Sequence, residues 1–311
     1  FTLTEEYPVA GRTIVVHAED SSIKIGCGIL ESTPGEVVQL GRYPDLAQTI
    51  GYNVSGTFLV SDADSGGINI TGTMGGLQAS VSGGLHVHSG YTCSNDIYDD
   101  LYSVSVGGHY YDGMASDPWD TMYVSDSDGY WHNTINVSTF TVEDAFPVAY
   151  RTLVVHMSAS ANATRIGCGL IYEDEIFNNQ TSVLTAMPSL APTTFAPTPL
   201  APTPTPNTPA NPPTSTYQTS LKAVADVGAY PGYSGSLSVL ATVAVQNNDD
   251  DSGIVIEGTI VGLEASVTGG IHIHSGVSCA NESYVGGHYY DTDWASGDPW
   301  STTYTLSLIH I

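Results

Sequence analysis

Positive charge is what this sequence has least of. Six Lys and Arg face 32 Asp and Glu, for a formal net charge of -26. A surface of that sign repels nucleic acid and anionic membrane, because both are bound through positive charge. It also repels small anions at long range. Long apolar runs are missing too. Nowhere do about 20 apolar residues follow one another, so no segment reads as a membrane-spanning helix. Helical periodicity is absent. There is no initiator Met and no signal peptide, and the chain opens in mid-pattern at Phe1, as expected of a mature or cut product. Cysteine is sparse but even in number: Cys27, Cys93, Cys168 and Cys279 allow two bridges in three connectivities.

What is present points outside the cell. Six Asn-x-Ser/Thr acceptors begin at Asn53, Asn69, Asn136, Asn162, Asn179 and Asn281. In a Lys-poor chain with paired cysteines they imply an extracellular or cell-surface glycoprotein with oxidised thiols. Residues 176–217 are rich in Pro, Thr and Ala and carry no apolar pattern. Such a segment suits a polyproline-II spacer, about 40 residues at roughly 3.1 Å each, on the order of 120 Å in all. Its Thr-Pro density suits O-glycosylation, and a disordered linker accounts for it equally well.

Elsewhere the text is one of short strands. Runs such as TIVVH and IKIGCGIL are β-branched and bounded by turn residues. GYNVSGTFLVSD and GINITGTMGGLQASV alternate apolar and polar residues across the turn DADSGG, a hairpin signal, and Asp128-Gly129 suits a tight turn. Many short strands with Gly, Asp and Ser turns predict an all-β sandwich or barrel.

The strands are repeated. GGLHVHSGYTCSN and VGGHYYD, within Gly83 to Asp112, return at Gly269 to Asp291 as GGIHIHSGVSCANESYVGGHYYD. The opening FTLTEEYPVAGRTIVVH, with its GCG strand, returns from Phe140 to Glu173. Five segments follow: 1–33, the C-terminal half of a module; 34–175, a complete module; 176–217, the linker; 218–305, an N-terminal half; and 306–311, LSLIHI, which parallels nothing. That last run matches what a common transposase adaptor of sequencing libraries encodes in one frame, and is expected to be read-through.

Histidines mark the chemistry. His86 and His88 are two apart, so on a strand both rings leave the same face. Eight of the ten histidines fall into two sets, His86, His88, His109 and His156 in the complete module and His272, His274, His288 and His17 in the split one. Only His132 and His310 are left over. Imidazole nitrogen suits copper, and three or four such ligands allow a shift between Cu(II) and Cu(I). A lone His is more often a satisfied sheet residue, but two full quartets favour a metal. Asp117 and Asp298, in the repeated DPW, suit a turn beside proline better than the orienting of a ligand His. The acidic turns at 62–67 and 247–251 lack EF-hand spacing and read as solvated.

The ordered set GGLHVH, Cys, GGHYYD, DG, VVH and R-x-G-C-G resembles the copper–zinc superoxide dismutase family. About 270 of the 311 residues take part, all but the linker and the tip. The resemblance implies tandem Greek-key β-sandwich or barrel modules of superoxide dismutase-like type, with the two quartets as copper ligands. It pairs Cys93 with Cys168 and makes Arg165 the arginine that guards the substrate channel. Two departures matter. No histidine lies between His109 and Asp128, so the zinc ligands are missing, and only eight residues separate His156 from Arg165, so the long charged loop is missing. Both losses resemble the copper-only branch and its tandem form, the copper-only superoxide dismutase repeat proteins, and make zinc unlikely. In the split module Lys24 replaces the guarding arginine.

A half-module at each end poses a physical problem, since half a sandwich leaves open edges and an exposed core face. The favoured expectation is that residues 218–305 pair with residues 1–32 of a neighbouring copy, sealed by Cys279 and Cys27, as an array or filament. Closure within one chain through the linker is the alternative. For function the expectation is an extracellular glycosylated repeat protein with possible copper-dependent superoxide dismutation. A purely structural fibre or wall protein with vestigial sites, and a secreted soluble copper-only dismutase, are the alternatives.

Overall fold

The structure is a computed structural model that describes residues 1–4, 7–20, 22–44, 51–93, 106–111, 113–144, 146–157, 164–171, 222–248, 253–264, 267–290 and 295–305. The linker at 176–217 and the tip at 306–311 lie outside the described residues, as do Asn162 and Asn179. The described chain is all-β apart from a one-turn helix at Glu282–Val285, which Asn281 caps by accepting from the Ser283 amide.

The complete module is an eight-stranded antiparallel sheet. Its strands are β4 (Glu36–Arg42), β5 (Ser55–Asp62), β6 (Ile68–Gly75), β7 (Ser82–His88), β8 (Met122–Val124), β9 (Trp131–Val137), β10 (Thr152–His156) and β11 (Arg165–Leu170), in the order β8-β7-β10-β11-β4-β5-β6-β9. The expected hairpin forms: β5 pairs with β6 from Ser55↔Gly75 to Asp62↔Ile68, across the DADSGG turn. Alternation puts Phe58, Val60, Ile68, Ile70, Met74, Leu85 and Val87 inside, all fully buried. Burial of each such side chain contributes about 1.5–3 kcal/mol.

The second sheet answers the half-module problem. β1 (Thr13–His17) and β2 (Lys24–Ile29) join β12 (Lys222–Ala229), β13 (Leu240–Asn247), β14 (Ile254–Val261), β15 (Thr268–His274) and β16 (Thr303–Thr305) in the order β14-β13-β12-β2-β1-β15-β16, with β3 (Glu31–Ser32) on β12. Val15 of β1 faces His272 of β15, and Cys27 of β2 faces Gly228 of β12. A Cys27–Cys279 disulfide closes the unit, and Cys93–Cys168 closes the complete one. In this structure the first and last segments of the chain pair with each other. Phe1–Glu173 and Leu221–Ile311 form a single compact unit.

The two modules meet through threonines. Thr57 Oγ1 lies 2.9 Å from Thr259 Oγ1, and Thr73 Oγ1 lies 2.9 Å from Thr242 Oγ1. His132, outside both quartets, clips the same seam: its Nδ1 is 2.7 Å from Thr73 Oγ1 and its Nε2 3.0 Å from Asp226 Oδ1.

Candidate metal centres

Each quartet is assembled by sheet register. Strand β7 sends His86 and His88 to one face, and β10 pairs beside it with Thr152↔His88 and Val154↔His86. A β-bulge between Val155 and His156 shifts the register of β10 against β11 at the position of the fourth histidine. Bulges of this kind re-aim a side chain. The equivalent bulge falls between Val16 and His17. His109 arrives on a loop and bridges directly to His88, as His288 does to His274. In each quartet the four histidines bring one ligand nitrogen apiece within 4.8 Å of one another.

The double glycine before each His-x-His makes room. A Cβ on Gly84 would strike the His86 ring, and one on Gly270 would come within 2.7 Å of His272 Cε1. Gly107, at φ 72°, lies against Ser89, where a Cβ would collide.

The hydrogen bonds sort the nitrogens. His88 Nδ1 lies 2.9 Å from the Gly107 carbonyl, which only accepts, so Nδ1 carries the proton and Nε2 a lone pair. His109 Nδ1 lies 2.7 Å from Asp117 Oδ2, which fixes the same tautomer. His88 Nε2 and His156 Nε2 are 3.1 Å apart. His86 Nδ1 and His109 Nε2 are buried without a hydrogen-bond partner, and so is His272 Nδ1 in the second quartet. Buried lone pairs are costly unless something accepts them. Two imidazole nitrogens held at about 2.0–2.1 Å from one ion lie roughly 3 Å apart at tetrahedral or right-angle geometry. The donor set, the orphaned nitrogens and the spacing fit a metal ion. Burial first, then the neighbouring His156 and His109, pushes His86 down to about 3, and burial pushes His88 down to about 2. His272 and His274 are lowered to about 4, again by burial first. All four are neutral near pH 7, as ligation requires.

The second quartet copies the first. His274 Nδ1 faces the Gly286 carbonyl at 2.9 Å, His17 Nε2 lies 3.3 Å from His274 Nε2, and His288 Nδ1 lies 2.5 Å from Asp298 Oδ2. Burial raises the Asp298 carboxyl, but the Trp300 amide and His288 outweigh it and leave it below the usual range.

Asp117 and Asp298 turn out to do two things. One oxygen accepts from the Trp amide two residues on, at 2.9 Å in both modules, which is the turn role favoured from sequence; the other holds His109 or His288. Arg165 donates to Tyr43 Oη at 2.9 Å and to the Gly107 carbonyl at 2.6 Å, the carbonyl that also holds His88. Lys24 instead reaches Tyr230 Oη at 3.5 Å. Sequence reasoning missed Tyr43 and Tyr230, and it missed Tyr123 and Tyr304, which donate to the carbonyls of His156 and His17 at 2.9 and 2.7 Å. The signal was available, since each of these tyrosines recurs in both modules. Among the acceptor asparagines, Asn53, Asn136 and Asn281 are exposed and Asn69 is half-buried, with Asn136 Nδ2 donating to Asn69 Oδ1 at 3.1 Å.

No family model matches this chain, and no curated protein does. Among solved structures, a double mutant of a SOD-like protein from Bacillus subtilis aligns with a TM-score of 0.35 at 20% identity, over 45% of this chain and 98% of that one. A single mutant of a SOD-like protein from the same organism aligns with a TM-score of 0.35 at 19% identity, over 45% and 99%. Two disulfides, and no helix among the described residues long and apolar enough to cross a membrane, are compatible with a secreted or surface protein.

Proposed function

We propose that this chain is an extracellular glycosylated repeat protein whose modules each hold a copper ion among four imidazoles, and that the complete module dismutes superoxide. The observation that carries the proposal is the convergence of four imidazoles, twice, with buried nitrogens left without a hydrogen-bond partner. His86 Nδ1 and the Nε2 atoms of His88, His109 and His156 would hold the ion. Copper bound there would supply one-electron chemistry, alternating between Cu(II) and Cu(I) as one superoxide is oxidised and the next reduced. The chain's own residues do the rest. Gly107 and Asp117 fix the tautomers of His88 and His109. Arg165, held by Tyr43 and Gly107, places a positive charge beside the cluster for a small anion. No histidine stands where a zinc site would need one, so copper alone is proposed.

A structural role with idle sites is the second reading. Lys24 in place of the guarding arginine, and a net charge of -26 that opposes the steering of an anion, favour it. Metal analysis of the purified chain with a superoxide dismutation assay separates the two. Two copper ions per chain with turnover supports the enzyme; copper without superoxide-dependent turnover leaves only the structural protein; no copper sinks the proposal.

A further inference from the structure

Only one place in the repeat keeps arginine in both modules, and it is not the guarding position. It is Arg151 in the complete module and Arg12 in the split one, each opening the strand that ends in the fourth histidine. Three of their contacts recur in both modules, while Arg151 alone also lies over a second ring, that of Tyr91, at 5.1 Å. Arg151 Nε donates to the Pro147 carbonyl at 3.0 Å, its Nη1 donates to the Ser89 carbonyl at 2.9 Å, and its Cζ sits 3.4 Å over the Tyr110 ring. Arg12 Nε donates to Pro8 at 2.9 Å, its Nη1 to Ser275 at 2.9 Å, and its Cζ sits 3.5 Å over Tyr289.

The residues gripped are the ones beside the ligands. Ser89 follows His88, and its amide donates to the Gly108 carbonyl at 2.8 Å, one residue before His109. Tyr110 follows His109, and its amide donates at 2.9 Å to Val87, which lies between His86 and His88. The Trp119 indole donates to the Tyr110 carbonyl at 2.6 Å. His109 needs such support, because two glycines precede it and the local chain is intrinsically loose there. A guanidinium is a rigid fork that serves two carbonyls and stacks on a ring at once, whereas an ammonium is a flexible point charge. The face of Tyr110 adds a cation–π attraction.

We infer that Arg151 and Arg12 are positioning residues for the metal sites: each ties the loop bearing the third ligand to the strands bearing the other three. The inference rests on the copper reading above. Its test is Cu(II) competition with a chelator, read together with the Cu(II) electron paramagnetic resonance spectrum. The chain used carries H272A/H274A, so that one site reports. Arg151→Lys is expected to lower Cu(II) affinity roughly tenfold or more and to change the copper hyperfine splitting, as loss of an outer-shell partner does. Tyr110→Leu should reproduce both effects, and Tyr110→Phe, which keeps the ring face, should reproduce neither. Arg151→Lys with parental affinity and spectrum overturns the inference, whatever happens to the melting temperature. Should that variant not fold, Tyr110→Leu decides alone by the same readouts. A parent chain that binds no Cu(II) overturns the copper reading and this inference with it; a binding parent with unchanged variants overturns only this one.

Discussion

Replacing Asp117 by Asn should weaken Cu(II) at the first quartet by roughly 10- to 100-fold, the range for losing an outer-shell partner of a ligand His. The geometry says why so small a change matters. One carboxylate oxygen accepts from His109 Nδ1 at 2.7 Å and the other from the Trp119 amide at 2.9 Å. Both partners are donors, and Asn has a single acceptor oxygen. If that oxygen stays on Trp119, an NH2 group faces His109 Nδ1. The imidazole must then carry its proton on Nε2, the nitrogen that would face the metal. If the amide flips instead, the Trp119 N–H loses its acceptor, at about 1–3 kcal/mol. Either route lands at one to two decades of affinity. The ion-pair contribution is left out, since the Asp117 side chain is 38% exposed and water screens it. The assay is chelator competition on the H272A/H274A chain, with dismutation followed in parallel. D117N that binds Cu(II) within about twofold of its parent would show that the carboxylate does not set the tautomer of His109.

Four further outcomes are expected. Because the half-modules close within one chain, non-reducing electrophoresis should give a monomer; a ladder of disulfide-linked chains would place Cys27 and Cys279 in different copies. Cys27→Ser should destabilise the split module by roughly 2–5 kcal/mol, measured by thermal unfolding, and a melting temperature equal to the parent's would deny the bridge. The metal-free protein should lose stability on acidification. His86, His88, His272 and His274 are held near 3, 2, 4 and 4, while the unfolded chain titrates near 6.5. Protons thus bind the unfolded state first, and stability that is full above about pH 6.5 falls toward pH 5 by on the order of 1–5 kcal/mol per unit; a flat or rising melting temperature between pH 7 and 5 would contradict the burial. Arg165→Lys, which copies Lys24, should leave copper content unchanged while lowering kcat/KM for superoxide by roughly tenfold, and equal kcat/KM would remove Arg165 from the reaction.

Much of the site was legible because the chain spells it twice. The His-x-His spacing put His86 and His88 on one face, and the repeat grouped the other six. The bulge at Val155/His156 was not legible, because a one-residue shift in register leaves no mark in a run like TLVVH. Nor was the double use of Asp117: a D-P-W turn is complete without any histidine, and only the loop's path brings His109 to the second oxygen. Tyr43 and Tyr123 are fully or almost fully buried, as core residues are. What sets them apart is one hydroxyl each, on Arg165 and on the His156 carbonyl.

The threonine seam shows where alternation misleads. In GTFLVSD and NITGTMGG the threonines fall on the polar side of each strand and read as solvent-facing, yet Thr57 and Thr73 are fully buried. The repeat gives the reason. Thr57 in GTFLV stands where Thr242 stands in ATVAV, and Thr73 in TGTMGGL stands where Thr259 stands in EGTIVGL. The contacts cross, Thr57 to Thr259 and Thr73 to Thr242. Position a on one module touches position b on the other, and b touches a, which is the signature of a twofold, isologous interface. The two modules therefore pack as a dimer written into one chain, and their outer faces are outer only in a module taken alone. Hydroxyls suit such a seam, since each can donate and accept. The same logic explains His132 and Asp226. On that face Asp226 occupies the place of Gln39, whose Oε1 accepts from Thr57 at 2.9 Å, but the carboxylate turns instead to a histidine of the other module at 3.0 Å. The copies thus share one scaffold and one set of ligands, and they differ where each meets something outside itself: at the seam, and at Arg165 against Lys24.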